Sequence, residues 1–148
     1  NKAINETLNL FEKSNVCRDR IRILKNLSSN LWTEMDSQHF SQILWNLFLN
    51  AAESISGEGT IEVSVTPDGE GRVNIEIKDN GCGMSKDTLK NIFNPFFTTK
   101  LHGTGLGLSI ILRILESYNG RLIVKSEEGV GSTFTVNLKR ITPKDVYT

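Results

Sequence analysis

The sequence contains little of several residue types that define common protein classes. Its 148 residues include only two cysteines, Cys17 and Cys82, and two histidines, His39 and His102. The cysteines are too few for a disulfide framework and too far apart for a zinc-binding pair, which fits a reducing compartment, so we expect a cytoplasmic location. No apolar run approaches the roughly 20 residues of a membrane span, and we expect no contact with a membrane.

The charge is balanced, and glycine is abundant in one region. Seventeen basic residues stand against 17 acidic residues, so the composition gives no reason to expect a nucleic-acid partner. The content of 38% hydrophobic and 23% charged residues is typical of a globular domain. Several of the 12 glycines fall within a single stretch near residue 105, where we look for function.

Hydrophobic periodicity predicts alternating helices and strands. We predict helices over 1–14, 37–55, 86–93 and 106–119, and strands over 20–27, 31–35, 60–66, 72–79, 121–127 and 132–139. This order predicts an α/β fold, a two-layer sandwich in which a mixed, mostly antiparallel sheet carries helices on one face. We interpret residues 1–14 as the end of a preceding helical module, 15–141 as the domain itself and 142–148 as a C-terminal tail.

The helix over 37–55 carries polar residues inside an apolar run. Asn46 and Asn50 are four residues apart and therefore share a face, and Glu53 lies near them one turn further on. The many apolar neighbours predict a helix that is buried almost all round. Two buried amides indicate either a hydrogen-bond network or a site for Mg²⁺ and phosphate, and this helix alone favours the network.

The strand over 72–79 ends in a carboxylate that is followed by two glycines. Alternation places Asp79 on the same face as the apolar positions 73, 75 and 77. Asp79 could close an ordinary Asx turn. It could also accept a hydrogen bond from the exocyclic amine of adenine, with Gly81 and Gly83 allowing the backbone to approach a flat ligand.

The glycine-rich stretch leads directly into a helix. Gly103, Gly105 and Gly107 precede unpaired N–H groups at the helix start, which is a typical anion site. The spacing fits neither the Walker loop nor the dinucleotide fingerprint. Just upstream, Phe96 and Phe97 could anchor the loop or belong to a lid, and Lys100 is a candidate phosphate ligand.

Taken in order, these motifs resemble the ATP-binding catalytic domain of sensor histidine kinases, in the superfamily shared with gyrase, mismatch-repair and heat-shock chaperone ATPases. Asn46 and Asn50 are similar to its N box, residues 79–84 to its G1 box, 93–97 to its F box and 103–107 to its G2 box. The resemblance covers about residues 20–140 and is strongest with the nitrogen-regulatory branch.

The resemblance implies ATP and Mg²⁺ as ligands. It implies that Asp79 takes the adenine amino group, that Asn50 coordinates Mg²⁺ with help from Asn46, and that Lys100 approaches the terminal phosphates. Asn46 and Lys100 are the implied catalytic residues, and Ser132 or Thr133 is implied to reach adenine through water. The implied nucleotide-binding set is Asn46, Asn50, Glu53, Asp79, Gly81, Gly83, Met84, Phe96, Thr99, Lys100, Gly103, Thr104, Gly105, Leu106, Gly107, Leu108 and Thr133.

The resemblance also bears on hydrolysis. Hydrolytic members of the superfamily have a glutamate where this chain has Asn46. Because an amide cannot take a proton from water, we expect a poor ATPase that keeps ATP for transfer.

The resemblance also implies partners. Neither His39 nor His102 has the family's acceptor surroundings. We therefore expect the phosphoacceptor histidine on an upstream helical module, a response regulator receiver domain as the next partner, and a monomeric chain. The alternatives are an anti-sigma-type serine kinase and a non-catalytic ATP-sensing module.

Overall fold

The computed structural model describes residues 2–15, 17, 19–28, 31–94 and 107–141. In this part of the chain, helices and strands follow one another as the sequence predicts, with some different bounds. The elements are α1 (Lys2–Glu12), β1 (Ile21–Leu27), β2 (Trp32–Thr33), α2 (Ser37–Glu53), β3 (Gly59–Pro67), β4 (Arg72–Asp79), α3 (Lys86–Asn91), α4 (Gly107–Ser117), β5 (Arg121–Glu127) and β6 (Gly131–Ile141).

The described strands form one mixed sheet. Its order is β1-β3-β4-β6-β2, and β5 also pairs with β6. Only the β1–β3 pair among these strands is parallel, while β3–β4, β4–β6, β5–β6 and β2–β6 are antiparallel. The predicted fold class, a mixed and mostly antiparallel sheet with helices, is therefore confirmed.

The core lies between one face of the sheet and the helices. Alternate positions of β3, β4 and β6 point inward, and the inward set is almost completely buried: Ile61, Val63, Val65, Val73, Ile75, Ile77, Phe134, Val136 and Leu138. Buried residues of α1, α2 and α4 belong to the same cluster. The opposite face of the sheet carries exposed charges such as Glu62, Glu76 and Lys78. The strands therefore have the apolar-in, polar-out alternation of a sheet that is solvated on one side.

Helix α1 packs into this core. Ile4, Leu8 and Phe11 are buried, and the Phe11 ring lies 5.6 Å from Trp45 in an edge-to-face arrangement and 5.5 Å from Phe48. Such aromatic pairs contribute about 0.5–1.5 kcal/mol each beyond the burial of area. The apolar stripe of α1 thus has its partner in α2, and the boundary at residue 14 stays a prediction.

Helix α2 is fixed at both ends by polar contacts. Asp36 caps its start, since the Asp36 carboxylate accepts from the Gln38 N–H at 2.8 Å. At the other end, the Arg20 guanidinium donates to the carbonyl oxygens of Ala52, Ile55 and Gly57 at 2.9–3.0 Å. The Ala52 carbonyl also accepts from the Ile55 N–H at 3.1 Å, and all three carbonyls lie in the last turn of the helix or just beyond it. Arg20 therefore holds the end of α2 against the start of β1.

Three sequence-based details are wrong. The second strand is limited to Trp32–Thr33, because only these residues pair with the end of β6. Each of the four helices ends two residues before its predicted end, at Glu12, Glu53, Asn91 and Ser117. Helix α2 is not buried all round, because only one of its faces packs against the sheet. On the opposite face of the helix, Gln42 and Glu53 are exposed, while Asn46 and Asn50 are half-buried. No helix among the described residues is both long enough and apolar enough to cross a membrane.

Candidate nucleotide-binding site

The centre of the candidate site is the carboxylate at the end of β4. Asp79 is only 3% exposed. Its Oδ1 atom accepts hydrogen bonds from the Gly81 N–H at 2.9 Å, the Ser54 hydroxyl at 3.2 Å and the Ser132 N–H at 3.3 Å. Gly81 lies in the turn of residues 80–84 that follows β4, here called the G1 turn, whereas Ser54 lies at the end of α2 and Ser132 in β6. Three separate segments therefore orient one carboxylate.

The two oxygens of Asp79 differ in their surroundings. All three donors from the described residues bind Oδ1, and none of them binds Oδ2. Burial raises the pKa of Asp79 above its ordinary value, and the hydrogen bonds from Gly81, Ser54 and Ser132 oppose that shift. A buried acceptor whose second oxygen has no partner in this part of the chain is suited to a donor brought by a ligand.

The glycines around Asp79 make room for protein backbone. A Cβ atom on Gly81 would overlap Ser54, and one on Gly83, whose φ is +68°, would overlap the Glu127 carbonyl oxygen. Contacts within the chain therefore require both glycines, and the approach of a flat ligand to them stays a prediction. Sequence reasoning also missed Gly131, where a Cβ would overlap the carbonyl oxygen of Asp79.

The backbone clamp around Cys82 continues this packing. The Cys82 N–H donates to the Ser54 carbonyl oxygen at 2.9 Å, and the Cys82 carbonyl accepts from the Gly129 N–H at 2.7 Å. The G1 turn is thereby held between the end of α2 and the β5–β6 turn. Backbone contacts of the G1 turn with the end of α2 and with the β5–β6 turn therefore fix the position of Asp79, in addition to the hydrogen bonds of its own side chain.

Helix α2 brings its polar face to the same place. The Ser54 hydroxyl, at the end of the helix, lies 2.7 Å from the Ala51 carbonyl oxygen and 3.2 Å from Oδ1 of Asp79, so its single proton is shared between these two acceptors and joins the helix to the carboxylate. Asn50 lies one turn before Ser54, and Asn46 one turn before Asn50. The structure therefore places the two predicted amides in a row that leads away from Asp79.

The pairing of β6 with β4 distinguishes Ser132 from Thr133, which the sequence analysis gave as alternatives. Ser132 pairs with Asp79, whereas Thr133 pairs with Lys78. Because successive side chains of a strand point to opposite faces, Thr133 lies on the outer face of the sheet, away from the Asp79 side chain. Of the two predicted candidates, Ser132 therefore lies on the side of Asp79 and Thr133 does not, and the Ser132 hydroxyl lies 2.8 Å from that of Ser126.

Comparison with known proteins identifies the family. Residues 35–142 match the family described as histidine kinase-, DNA gyrase B-, and HSP90-like ATPase. The chain belongs to this family. The sensor histidine kinase ZraS of Escherichia coli strain K12 is 40% identical over 147 residues, which are 98% of this chain and 31% of ZraS. The chain thus spans less than a third of that relative.

Solved structures of histidine kinases share the fold and part of the sequence. The catalytic domain of the histidine kinase ThkA has a TM-score of 0.83 and 30% identity, covering 97% of this chain and 93% of that one. Full-length ShkA in complex with AMPPNP has a TM-score of 0.83 and 27% identity, covering 95% of this chain and 30% of ShkA. This chain is the ATP-binding catalytic domain of the sensor histidine kinase type.

The remaining predicted residues of this kinase domain divide into two groups. Met84 and Leu108 are half-buried against the core, and the Met84 N–H donates to the Ser126 hydroxyl at 2.8 Å. Gly107 begins α4, and a Cβ there would meet no atom of the described residues within 4 Å. The other group lies outside the described residues: Phe96, Thr99, Lys100, Gly103, Thr104, Gly105 and Leu106.

A metal ion in this domain would depend on amide oxygens. Within the described ranges, no group of three or more His, Cys, Asp or Glu side chains could hold a metal. Asn46 and Asn50 supply neutral oxygens, which are hard ligands of the type that Mg²⁺ uses when it shares a substrate's phosphates. The donor set thus fits a cation that arrives with a nucleotide.

Proposed function

We propose that this kinase domain binds ATP with Mg²⁺ and transfers the γ-phosphate to a histidine on a helical module outside this chain, for relay to a response regulator receiver domain. The observation that carries the proposal is the buried Asp79 carboxylate, held through Oδ1 and with Oδ2 unpartnered in the described part of the chain. We place the reaction in the cytoplasm, where ATP is supplied.

The carboxylate favours adenine over guanine. The adenine amino group donates a hydrogen bond, and Oδ2 of Asp79 can accept it. Guanine has a carbonyl oxygen at that ring position, which would face the carboxylate as a second acceptor and leave both groups unpaired in a buried site. Ser132 is the neighbour that would join this contact, because its N–H already holds Asp79 and its hydroxyl lies on the same side of the sheet.

The triphosphate fits along the polar face of α2. With the purine at Asp79 and Ser54, the next groups on the helix are Asn50 and then Asn46. We assign Asn50 to Mg²⁺ and Asn46 to the reacting end of the nucleotide, with Lys100 and residues 103–108 approaching the phosphates from the lid. The bound Mg²⁺ would neutralise phosphate charge, and the protein's own amides would orient it.

The chemistry of Asn46 favours transfer over hydrolysis. A carboxamide does not accept a proton at neutral pH, so Asn46 cannot activate water as a general base. A histidine acceptor needs less help, since its neutral ring nitrogen already has a lone pair that can attack the γ-phosphorus while the bond to the bridging oxygen breaks and ADP leaves. The naming of ZraS as a sensor histidine kinase supports histidine rather than serine as the acceptor.

Two measurements on this chain test the proposal. Calorimetric titration should show that ATP binds, that chelation of Mg²⁺ weakens the binding, and that GTP binds more weakly than ATP. Incubation with γ-labelled ATP should leave this chain unlabelled, while a longer protein that includes the preceding helical segment should gain acid-labile phosphate. Equal affinity for ATP and GTP, or acid-labile label on this chain alone, would contradict the proposal.

A further inference from the structure

The polar face of α2 extends beyond the two asparagines. Gln42 lies four residues before Asn46, just as Asn46 lies four residues before Asn50. Residues at this spacing share a helix face, and each step rises by about 6 Å along the axis. Gln42, Asn46 and Asn50 therefore form a ladder of three amides that starts one turn from the Ser54–Asp79 contact and runs toward the start of the helix.

We propose that Gln42 contacts the γ-phosphate of bound ATP and thereby raises the affinity of the site for ATP relative to ADP. The inference rests on the proposed function, because a purine at Asp79 is what places the terminal phosphate at the Gln42 end of the three amides. The phosphates then follow one another away from the purine, toward the start of α2. Asn50 meets them first, and the terminal phosphate lies nearest to Asn46 and Gln42.

The surroundings of Gln42 leave its amide available. Its side chain is exposed, and it makes no side-chain hydrogen bond to any residue in the described ranges. A carboxamide N–H₂ supplies two donors, and a donor on a phosphate oxygen makes a charge-assisted hydrogen bond. Gln42 can therefore bind a phosphate without first breaking a contact within the described structure.

A histidine between Gln42 and the start of the helix is already engaged. His39 Nδ1 lies 2.8 Å from the Tyr118 hydroxyl, and the two rings pack edge to face with centroids 5.8 Å apart. The Tyr118 oxygen also accepts from the Asp36 N–H at 3.3 Å, which fixes the tyrosine to the start of α2. His39 is thus held against the residue that follows α4, and Gln42 is the last amide of the ladder before that contact.

The chain offers a matched control in Gln38. It is also an exposed glutamine on α2, at the next position of the same four-residue spacing and about 6 Å further from Asn46 than Gln42 is. Changing Gln38 and Gln42 in the same way alters the net charge of the same helix equally. Only the change at Gln42 should alter the distinction between ATP and ADP, because only Gln42 lies within reach of the γ-phosphate.

The experiment measures the ratio of ATP to ADP affinity in the presence of Mg²⁺ by calorimetric titration. We expect Gln42→Ala to lower ATP affinity about tenfold, the effect of losing one hydrogen bond to a charged group, while ADP affinity stays within about twofold. Gln42→Glu should lower ATP affinity further, because it sets a carboxylate beside the γ-phosphate. Gln38→Ala and Gln38→Glu should leave the ratio unchanged.

The outcomes separate this inference from the function on which it rests. An unchanged ATP-to-ADP ratio in both Gln42 variants, with wild-type ATP binding intact, overturns the role of Gln42 alone. Equal loss of ATP and ADP in Gln42→Ala also overturns it, because a merely structural effect would act on both nucleotides. If the unaltered chain binds neither nucleotide, the proposed function fails together with this inference.

Discussion

Replacement of Asp79 by asparagine separates the stability of the domain from its affinity for ATP. In Asp79→Asn the amide oxygen can occupy the Oδ1 position and keep the three donors from Gly81, Ser54 and Ser132. The amide nitrogen then occupies the Oδ2 position. It would therefore face the amino group of adenine. Because both groups are hydrogen-bond donors, both would be left unpaired.

The magnitude follows from the burial of the group. Loss of a hydrogen bond to a buried charge, with an unpaired donor left behind, costs about 2–4 kcal/mol. At about 1.4 kcal/mol per factor of ten, ATP should bind about 30- to 700-fold more weakly. Calorimetric titration measures this directly. An affinity within about threefold of the unaltered chain would show that Asp79 does not bind the purine.

The same substitution should not weaken the ligand-free fold. Burial raises the pKa of Asp79, so the folded state holds the proton more tightly than the unfolded state. The ionised group therefore lowers stability as pH rises from the ordinary aspartate pKa through the raised folded value. Asp79→Asn removes this loss, and the variant should unfold at the same or a higher temperature at pH 7.

Asp68, in the turn between β3 and β4, provides a matched control. Its carboxylate accepts from the N–H groups of Glu70 and Arg72 and from the Asn137 amide, and these bonds, that to Glu70 above all, lower the pKa of Asp68. Its contribution to stability is present above the ordinary aspartate pKa and is lost as pH falls through the lowered value. Asp68→Asn should therefore reduce stability at pH 7 and leave ATP affinity unchanged, the reverse of Asp79→Asn.

Two further predictions concern the glycines and the β6 register. Gly69→Ala should lower the free energy of unfolding by only about 1 kcal/mol, the penalty of a positive φ, because a Cβ there meets no described atom within 4 Å. Gly83→Ala and Gly131→Ala should each lower it by about 2–4 kcal/mol, because the new Cβ overlaps a carbonyl oxygen. Urea unfolding measures all three, and equal losses would contradict the packing argument. Ser132→Ala should weaken ATP binding by up to about tenfold through loss of a hydroxyl beside Asp79, while Thr133→Ala should not, as titration can establish. A larger effect at Thr133 would refute the register argument.

Local patterns in the sequence were sufficient for the elements and for the central carboxylate. Alternation along β4 placed Asp79 on the inward face, and the four-residue spacing along α2 placed Asn46 and Asn50 on one face of that helix. These features depend on residues close together in the chain. The choice between Ser132 and Thr133 depends instead on the pairing of β6 with β4, and a shift of one residue would exchange their faces.

Other features depend on contacts between distant segments. Arg20 holds the end of α2 through carbonyls 32–37 residues away, and Gly131 is required by the backbone of Asp79. No local pattern around either residue indicates those contacts. The exposure of the amides of α2 was also missed, because composition shows that a helix is apolar but not which face meets the sheet.

The most direct test is a crystal structure of this chain with Mg²⁺ and a non-hydrolysable ATP analogue. We predict that the purine amino group lies within hydrogen-bonding distance of Oδ2 of Asp79, with the phosphates extending along the face of α2 that carries Asn50 and Asn46. A purine bound elsewhere, or side chains of the chain itself filling the space beside Asp79, would contradict the account.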